Sequence, residues 1–364
     1  MGKNGRFGKD YGKVVGKDSP SRPGWKGPGY VKKAEPPAKA KAPVAESTKA
    51  ASESMIPIEL QQLLLNIFRN TFPGVLTSGT LQPLLQDVKA ALYERDFSRA
   101  FGKQEYLEAY SVRWSPSRAL CYSSILVDLQ KHMTELNKST LKVVCFGGGA
   151  AEVVAFAEAM ANLSMDDKGP EIDLLLVDTA QWGGVVQMLD QALATPPPLS
   201  KYASSSAREA NSSLIAPGSI VTTFRPDDVL GLSQSQLDDI VGKGPMLLTL
   251  LFTLNELYTT SIGKTTAFIL NLTSSTKPGT LLLVVDSPGS YSETVVGTEA
   301  KRYPMQWLLD HILLGTEKTR GEESAANWLK VFSDDSRWFR LPDGLRYPIP
   351  LENMRYQISL YRRL

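Results

Sequence analysis

Apolar positions along this chain change their spacing twice. Between residues 56 and 137 they recur every three or four residues, in PIELQQLLLNIFRNTF (57–72), LQPLLQDVKAALYERDF (81–97), KQEYLEAYSV (103–112) and SRALCYSSILVDLQKHMTEL (117–136). This period places apolar side chains on one helical face and predicts an all-helical lead-in packed on the C-terminal part of the chain. Pro57 suits a first helical turn, and Ser115-Pro116-Ser117 opens the last of these helices. From Leu141 the rhythm becomes strand, corner, helix. The runs at 141–146, 172–178, 219–224, 246–252 and 280–286 are continuously β-branched or leucine-rich, as in strands buried on both faces of a parallel sheet. Helices are expected between them at 150–164, 182–194, 233–241, 255–275 and 304–315. The end changes again: RWFRLP (337–342) and MRYQISLYRRL (354–364) are strands with no helix between them, so they pair antiparallel. The expected fold is α/β, a mostly parallel seven-stranded sheet closed by an antiparallel C-terminal hairpin, with a helical N-terminal lead-in.

Residues 1–54 follow neither rhythm. Apart from the first methionine, Val14, Val15, Val31 and Val44 are their only aliphatic side chains larger than alanine. A segment this poor in apolar surface does not offset the entropy of ordering, so it is expected to be disordered. The organisation expected is therefore a basic tail (1–54), a helical lead-in (55–139) and an α/β domain (140–364). Charge sharpens the division. Residues 1–50 hold 12 Lys/Arg against 4 Asp/Glu, whereas the remainder holds 28 against 34. Within the tail, Phe7, Tyr11, Trp25 and Tyr30 alternate with basic residues. That composition suits a nuclear address, and it also suits RNA contact through phosphates and base stacking. Two cysteines far apart, Cys121 and Cys145, and two histidines offer neither a disulfide framework nor a metal set. The longest apolar run, 245–254, is about half of the roughly 20 residues a membrane span needs. No metal and no membrane are expected, and the chain is expected to be a soluble intracellular monomer.

The chemistry is concentrated at LKVVCFGGGAAEVVAFAEAM (141–160), where a strand meets Gly147, Gly148 and Gly149 and then a helix. Glycines there let the backbone approach a ligand, and the helix start offers free N–H groups. A dinucleotide corner needs G-x-G-x-x-G/A, but Glu152 stands at the third small position, where it would repel a pyrophosphate. GKTT (263–266) lacks the P-loop's first glycine, Tyr258 standing in its place, and lies in a helical segment. S-adenosylmethionine carries no phosphate and tolerates the glutamate. Its ribose wants a carboxylate at the second strand end, where Asp178 sits. Its adenine amine wants an acceptor after the third strand, where Asp227 and Asp228 lie, with Asp228 favoured. Its methyl end faces the fourth strand tip, occupied by Asn255 and Glu256. Asp178 and Asp228 equally suit helix caps, and Trp182 suits the core.

CFGGGAAEVVAFA (145–157), VDTAQW (177–182), LLFTLNELY (250–258) and YSVRWSPSRALCY (110–122) resemble the fungal methyltransferases that modify a uridine N(3) atom in large-subunit (25S) ribosomal RNA. The resemblance spans roughly residues 56–364. It implies a class I, Rossmann-like methyltransferase fold, S-adenosylmethionine as donor, large-subunit ribosomal RNA or the pre-ribosome as partner, and a place in the nucleolus. By analogy with related enzymes, Tyr110 and Arg113 would reach the donor's carboxylate, although the same segment also suits anchoring the lead-in to the sheet.

The acceptor can be narrowed by chemistry. Pyrimidine C5 methylation needs a cysteine nucleophile near the fourth strand, and neither cysteine is there. Exocyclic amine enzymes usually carry Asn/Asp-Pro-Pro-Tyr/Phe at that tip, where this chain has Leu254-Asn255-Glu256-Leu257. No clear Lys-Asp-Lys-Glu set for a 2′-hydroxyl is present. Uridine N(3) carries a weakly acidic proton, and its methylation needs a proton acceptor and a group holding the uracil carbonyls. Glu256 fits the first role and Asn255 the second, while Asn255 also suits a helix N-cap. A base inside an RNA helix must leave its stack to react, so a pocket for one extruded pyrimidine is expected. Lys301, Arg302, Arg337, Arg340, Arg346, Arg355, Arg362 and Arg363 are candidate RNA contacts. A ribosome-assembly module on the same fold, or a protein methyltransferase, remains an alternative.

Overall fold

The structure is a computed structural model and describes residues 56–133, 136, 139–163, 171–289, 291–296, 299–315 and 327–364; the tail, and with it the targeting and RNA-contact expectations for residues 1–54, lies outside them. The lead-in consists of α1 (Ile58–Thr71), α2 (Pro73–Thr77), α3 (Leu81–Tyr93), α4 (Phe97–Ala100), α5 (Gln104–Arg113) and α6 (Ser115–Met133). The alternating part runs β1 (Thr140–Phe146), α7 (Ala150–Leu163), β2 (Glu171–Val177), α8 (Gly183–Leu193), α9 (Ser205–Glu209), β3 (Ile220–Arg225), α10 (Gln234–Val241), β4 (Leu247–Leu251), α11 (Leu254–Thr260), α12 (Ile262–Ser275) and β5 (Leu281–Asp286). A small antiparallel pair, β6 (Tyr291–Val296) and β7 (Glu299–Pro304), then precedes α13 (Met305–Leu314), β8 (Trp328–Phe339) and β9 (Met354–Arg363).

The seven-stranded sheet has the order β3-β2-β1-β4-β5-β9-β8. The first five strands are parallel, and β9 pairs antiparallel with both β5 and β8. Side chains alternate across a strand, and here the two faces have separate cores. Val143, Cys145, Leu174, Leu176, Leu283 and Leu360 bury against α1, α3 and α5–α8. Val144, Phe146, Leu248, Leu282 and Tyr361 bury against α10–α13. The lead-in thus shares one hydrophobic core with the sheet. Its α6 lies alongside α7 and is buried along nearly its whole first half.

Two expected elements differ from those observed. The helix expected at 255–275 is broken at Ser261, whose extended backbone (φ −166°) ends α11 and whose Oγ accepts the Lys264 N–H to start α12. The strand expected at 337–342 starts nine residues earlier, at Trp328. Register shifts at Lys330/Phe332 and Asp334/Arg337 break its alternation, and an edge strand tolerates the exposed acids that hid it. GKTT lies inside α12, with no strand in front of it.

Because β1, β2, β4 and β5 are parallel, their C-terminal ends meet at one edge of the sheet. The start of β9 and the end of β8 arrive at the same edge, since Gln357 pairs with Asp286 and Met354 with Phe339.

Candidate active site

At that edge β1 ends in the glycine corner, and each glycine answers to a different neighbour. Gly147 has φ +75°, and a Cβ there would lie 2.3 Å from Thr253 Oγ1; its N–H donates to the Val177 carbonyl at 2.8 Å. A Cβ on Gly148 would meet Cys145 Cβ at 2.6 Å, and one on Gly149 would meet the Trp182 indole at 3.0 Å. The Gly149 N–H donates to Glu152 Oε2 at 2.9 Å. A carboxylate of this chain therefore holds the helix-start donor that a pyrophosphate would need, which is why the dinucleotide pattern fails here.

Gly147, Gly149, Tyr110, Asp178 and Glu256 line one cavity, which encloses about 500 Å³ of free space, part of it open to solvent. Asp178 follows β2 and accepts the Ala180 N–H at 2.7 Å. Burial pushes its carboxyl up to about 7, with Glu152 adding to the rise. Glu256 lies in the first turn of α11; burial pushes it up to about 8, Arg118 pulling down and Asp178 and Asp286 pushing up. Burial also raises Glu152 and Asp286. Asp286 ends β5 and accepts from the N–H groups of Asn255 (2.8 Å) and Ser287 (2.7 Å). Asn255 is thus attached through its backbone to a neighbouring strand tip, and the helix begins one residue before it, so it is not the N-cap.

The remaining expected residues fall elsewhere. Asp228 is exposed and accepts the Leu230 N–H at 2.9 Å, and neither it nor Asp227 lines this cavity. Asp227 pairs instead with Arg225. Gly148 supports the corner from below without lining it. Arg113 pairs with Glu352 and faces a second cavity. The guanidinium in the first cavity belongs to Arg118, on α6. It lies over the rings of Tyr110 (5.5 Å) and Phe252 (5.0 Å) and is the cation facing Glu152, Glu256 and Asp286.

Three further features shape the cavity, and the sequence pointed only to Tyr110 among them. Tyr110 packs against Phe101, Trp114 and Trp182 with centroids 5.1–5.9 Å apart, forming an aromatic wall. Phe252 has φ +59°, a strained setting for a bulky residue of the kind held at ligand sites. Tyr122 lines the cavity, and its hydroxyl is buried and without a hydrogen-bond partner.

This donor set suits S-adenosylmethionine. The ligand's sulfonium and ammonium charges would relieve crowded acids that burial now holds high. The orphaned Tyr122 hydroxyl could take its carboxylate, Asp178 its ribose hydroxyls and the aromatic wall its apolar parts. Of the arginines expected to touch RNA, Arg337 is committed to Asp128 (3.0 Å) and Asp334 (3.7 Å). Arg363, at the far end of β9, donates to the Asn327 carbonyl, and Arg362 lies beside it. Arg346 is exposed, its backbone paired with Gln62 of α1. Arg340 and Arg355 are exposed at the site edge. The side chains of Lys301 and Arg302 lie outside the described residues.

Comparison with known proteins agrees with the site chemistry. A family described as "Putative SAM-dependent methyltransferase" matches residues 68–362. The 25S rRNA (uridine(2843)-N(3))-methyltransferase of Saccharomyces cerevisiae is 34% identical over 328 residues, covering 82% of this chain and 85% of the yeast protein. Among solved structures, a SAM-dependent methyltransferase of Methanosarcina mazei aligns with TM-score 0.37 at 8% identity, over 64% of this chain and 96% of its own. The N-methyltransferase NodS of Bradyrhizobium japonicum, in complex with S-adenosyl-L-homocysteine, aligns with TM-score 0.33 at 11% identity, over 79% and 99%. Sequence kinship, not these distant structural likenesses, decides the assignment: the chain belongs to the S-adenosylmethionine-dependent methyltransferases, in the family of the yeast 25S rRNA uridine-N(3) enzyme.

Proposed function

We propose that this enzyme methylates N(3) of a uridine in large-subunit ribosomal RNA, acting in the nucleolus as a monomer, with residues 140–364 as the catalytic domain, 55–139 as its helical cover and 1–54 as a basic tail. The observation that carries this reading is Glu256, a carboxylate held near pH 8 by burial at the tip of β4, together with the activity of the yeast relative. An acceptor with a pKa close to the working pH is the group needed to take a weakly acidic imide proton. When bound, S-adenosylmethionine supplies an electrophilic methyl group on a positively charged sulfur. Glu256 would take the N(3) proton, leaving the nitrogen lone pair free to accept that methyl group. Asp178 orients the donor through its ribose. Arg118 steadies negative charge developing on the uracil oxygens while lowering the cost of ionised Glu256. Asn255, whose N–H is fixed on Asp286, lines neither cavity and acts through its backbone, holding the start of α11 that carries Glu256.

The test compares nucleosides of large-subunit RNA from cells with and without the protein, by mass spectrometry. Loss of 3-methyluridine, restored by wild type but not by an Asp178→Ala/Gly149→Arg double variant, is expected. An unchanged 3-methyluridine level overturns the assignment, and a different missing nucleoside names another product.

The raised acids also make donor binding pH-dependent. Without ligand, Asp178 (about 7) and Glu256 (about 8) hold protons at pH values where free carboxyls are ionised. A cationic ligand favours their charged forms, so binding expels protons. Affinity for S-adenosylmethionine should therefore rise as pH increases from 6 to 8 and level off above. S-adenosylhomocysteine, which lacks the sulfonium charge, should show a shallower rise. Calorimetry in buffers of different ionisation enthalpy measures this directly; flat affinity over that range would refute it.

A further inference from the structure

Beside the first cavity lies a second, with about 680 Å³ of free space, likewise partly open to solvent. Arg118 and Phe252 line both, so the two cavities adjoin at these side chains. The far side of the second cavity is built by Arg113 and Trp114 at the end of α5 and by residues 352–355 leading into β9.

Its chemistry differs from that of the first. The first gathers acids around one arginine. The second has three arginines, Arg113, Arg118 and Arg355, against Glu352, in a body that is acidic overall. Arg113 Nη1 is buried and has no hydrogen-bond partner, a donor without an acceptor beside an open space. Trp114 and Phe252 supply flat apolar faces. At the rim, Asn353 Oδ1 accepts the Leu341 N–H at 2.8 Å, which fixes the amide orientation and leaves its NH₂ as the group available to a ligand. Arg355 is exposed, with Nε donating to Ser336 Oγ at 2.8 Å. Its register partner across the hairpin is Trp338, half exposed at 48%, with Arg340 stacked over its ring at 5.5 Å. Cations interleaved with exposed aromatic faces are what a single RNA strand binds.

We propose that the second cavity is the acceptor site and takes one extruded uridine nucleotide of RNA, with Arg355, Trp338 and Arg340 carrying the flanking strand. This rests on the reading of the protein as an RNA uridine methyltransferase. A uracil edge presents acceptor, donor, acceptor: O4, N(3)–H, O2. Arg118 and the Asn353 NH₂ are donors for the two carbonyls, and Glu256, which lines the adjoining first cavity, accepts between them where the two cavities meet. Cytosine presents an amine in place of O4 and would set donor against donor. Their adjoining mouths let two cavities serve one reaction, since N(3) and the methyl group would meet directly where the cavities join.

Two rim positions test this in the full-length protein. Asn353→Asp keeps the bond to the Leu341 N–H but exchanges the donor NH₂ for a negatively charged acceptor oxygen, so Asn353→Ala, which adds no charge, is measured beside it; Arg355→Ala removes a charge from an exposed position. All should bind S-adenosylmethionine within about twofold of wild type. Asn353→Asp and Asn353→Ala should each lower kcat/KM for methyl transfer to large-subunit RNA by about tenfold or more, as when a site loses a hydrogen bond to its substrate. Arg355→Ala should raise the KM for RNA about tenfold with kcat little changed. The identity of the methylated nucleoside tests the activity separately, because the Arg355→Ala loss should appear whichever nucleoside is the product, whereas the Asn353→Asp loss belongs to uridine. Photocrosslinking of 4-thiouridine-labelled RNA needs no turnover and should attach to peptides covering 113–118 or 352–357. Wild-type RNA kinetics in the variants at both positions, a tenfold change in donor affinity, or crosslinks confined to other peptides would each overturn the proposal.

Discussion

Replacing Glu256 by glutamine is expected to lower kcat for methyl transfer by about 10²- to 10⁴-fold, the range that general-base assistance supplies, while donor affinity changes only a few-fold. Glutamine has nearly the same shape, so the first turn of α11 and its packing survive; only the proton acceptor is lost. The pH profile distinguishes this from a positional effect. A base works in its ionised form, so wild-type kcat/KM should rise with pH and level off above about 8, the value burial imposes on Glu256 in the free enzyme. In kcat the same limb should move lower, because the bound donor's positive charge favours the carboxylate. Glu256→Gln should flatten the limb in both. A variant that keeps a third of wild-type kcat, or retains the limb, would remove Glu256 from the chemistry.

Gly147→Ala should weaken S-adenosylmethionine binding by at least tenfold and cost about 1–2 kcal/mol of stability, from a side chain forced to positive φ. The added Cβ would lie within 2.9 Å of Thr253 Oγ1, Cγ2 and Cβ, and Thr253 lines the first cavity, where we propose the donor binds. Its hydroxyl bonds to the Leu251 carbonyl, so moving it disturbs the turn that presents Phe252 and Glu256. Gly218→Ala is the control. Gly218 also has positive φ (+84°) but no atom within 4 Å of its would-be Cβ, so it should lose stability through backbone strain and keep donor affinity. Thermal melts with and without ligand, alongside calorimetry, separate the two. Equal loss of affinity in both variants, or none in Gly147→Ala, would mean that the corner does not cradle the donor.

The strand positions were legible because burial on both faces leaves a continuous apolar run, which survives in LKVVCF, IDLLLVD and TLLLVVD whatever the neighbours do. β8 was legible only at its C-terminal end, because an edge strand with two register shifts and exposed acids loses that run earlier on. The glycine corner, Asp178 and Glu256 were legible for a topological reason: in a parallel sheet every C-terminal strand end lies at one edge, so residues just after successive strands converge. Asp228 follows the same logic and fails it, because the loop after β3 turns the carboxylate onto its own Leu230 N–H and out to solvent.

Arg118 shows what linear spacing leaves out. Of the two arginines near the end of α5, the sequence pointed to Arg113, yet Glu352, 239 residues away, takes it, and Arg118 enters the cavity. Sequence alone determined the α/β alternation, the helical cover, the phosphate-free glycine corner and the carboxylates at the strand ends, all consequences of local periodicity and chain order. Tertiary structure alone decided that β9 lies between β5 and β8, that α6 brings Arg118 and Tyr122 over the strand tips, and that residues 352–355 wall a second cavity. It also decided the protonation of Asp178 and Glu256, because their raised pKa values arise chiefly from the removal of water, and many distant segments must pack together to exclude it.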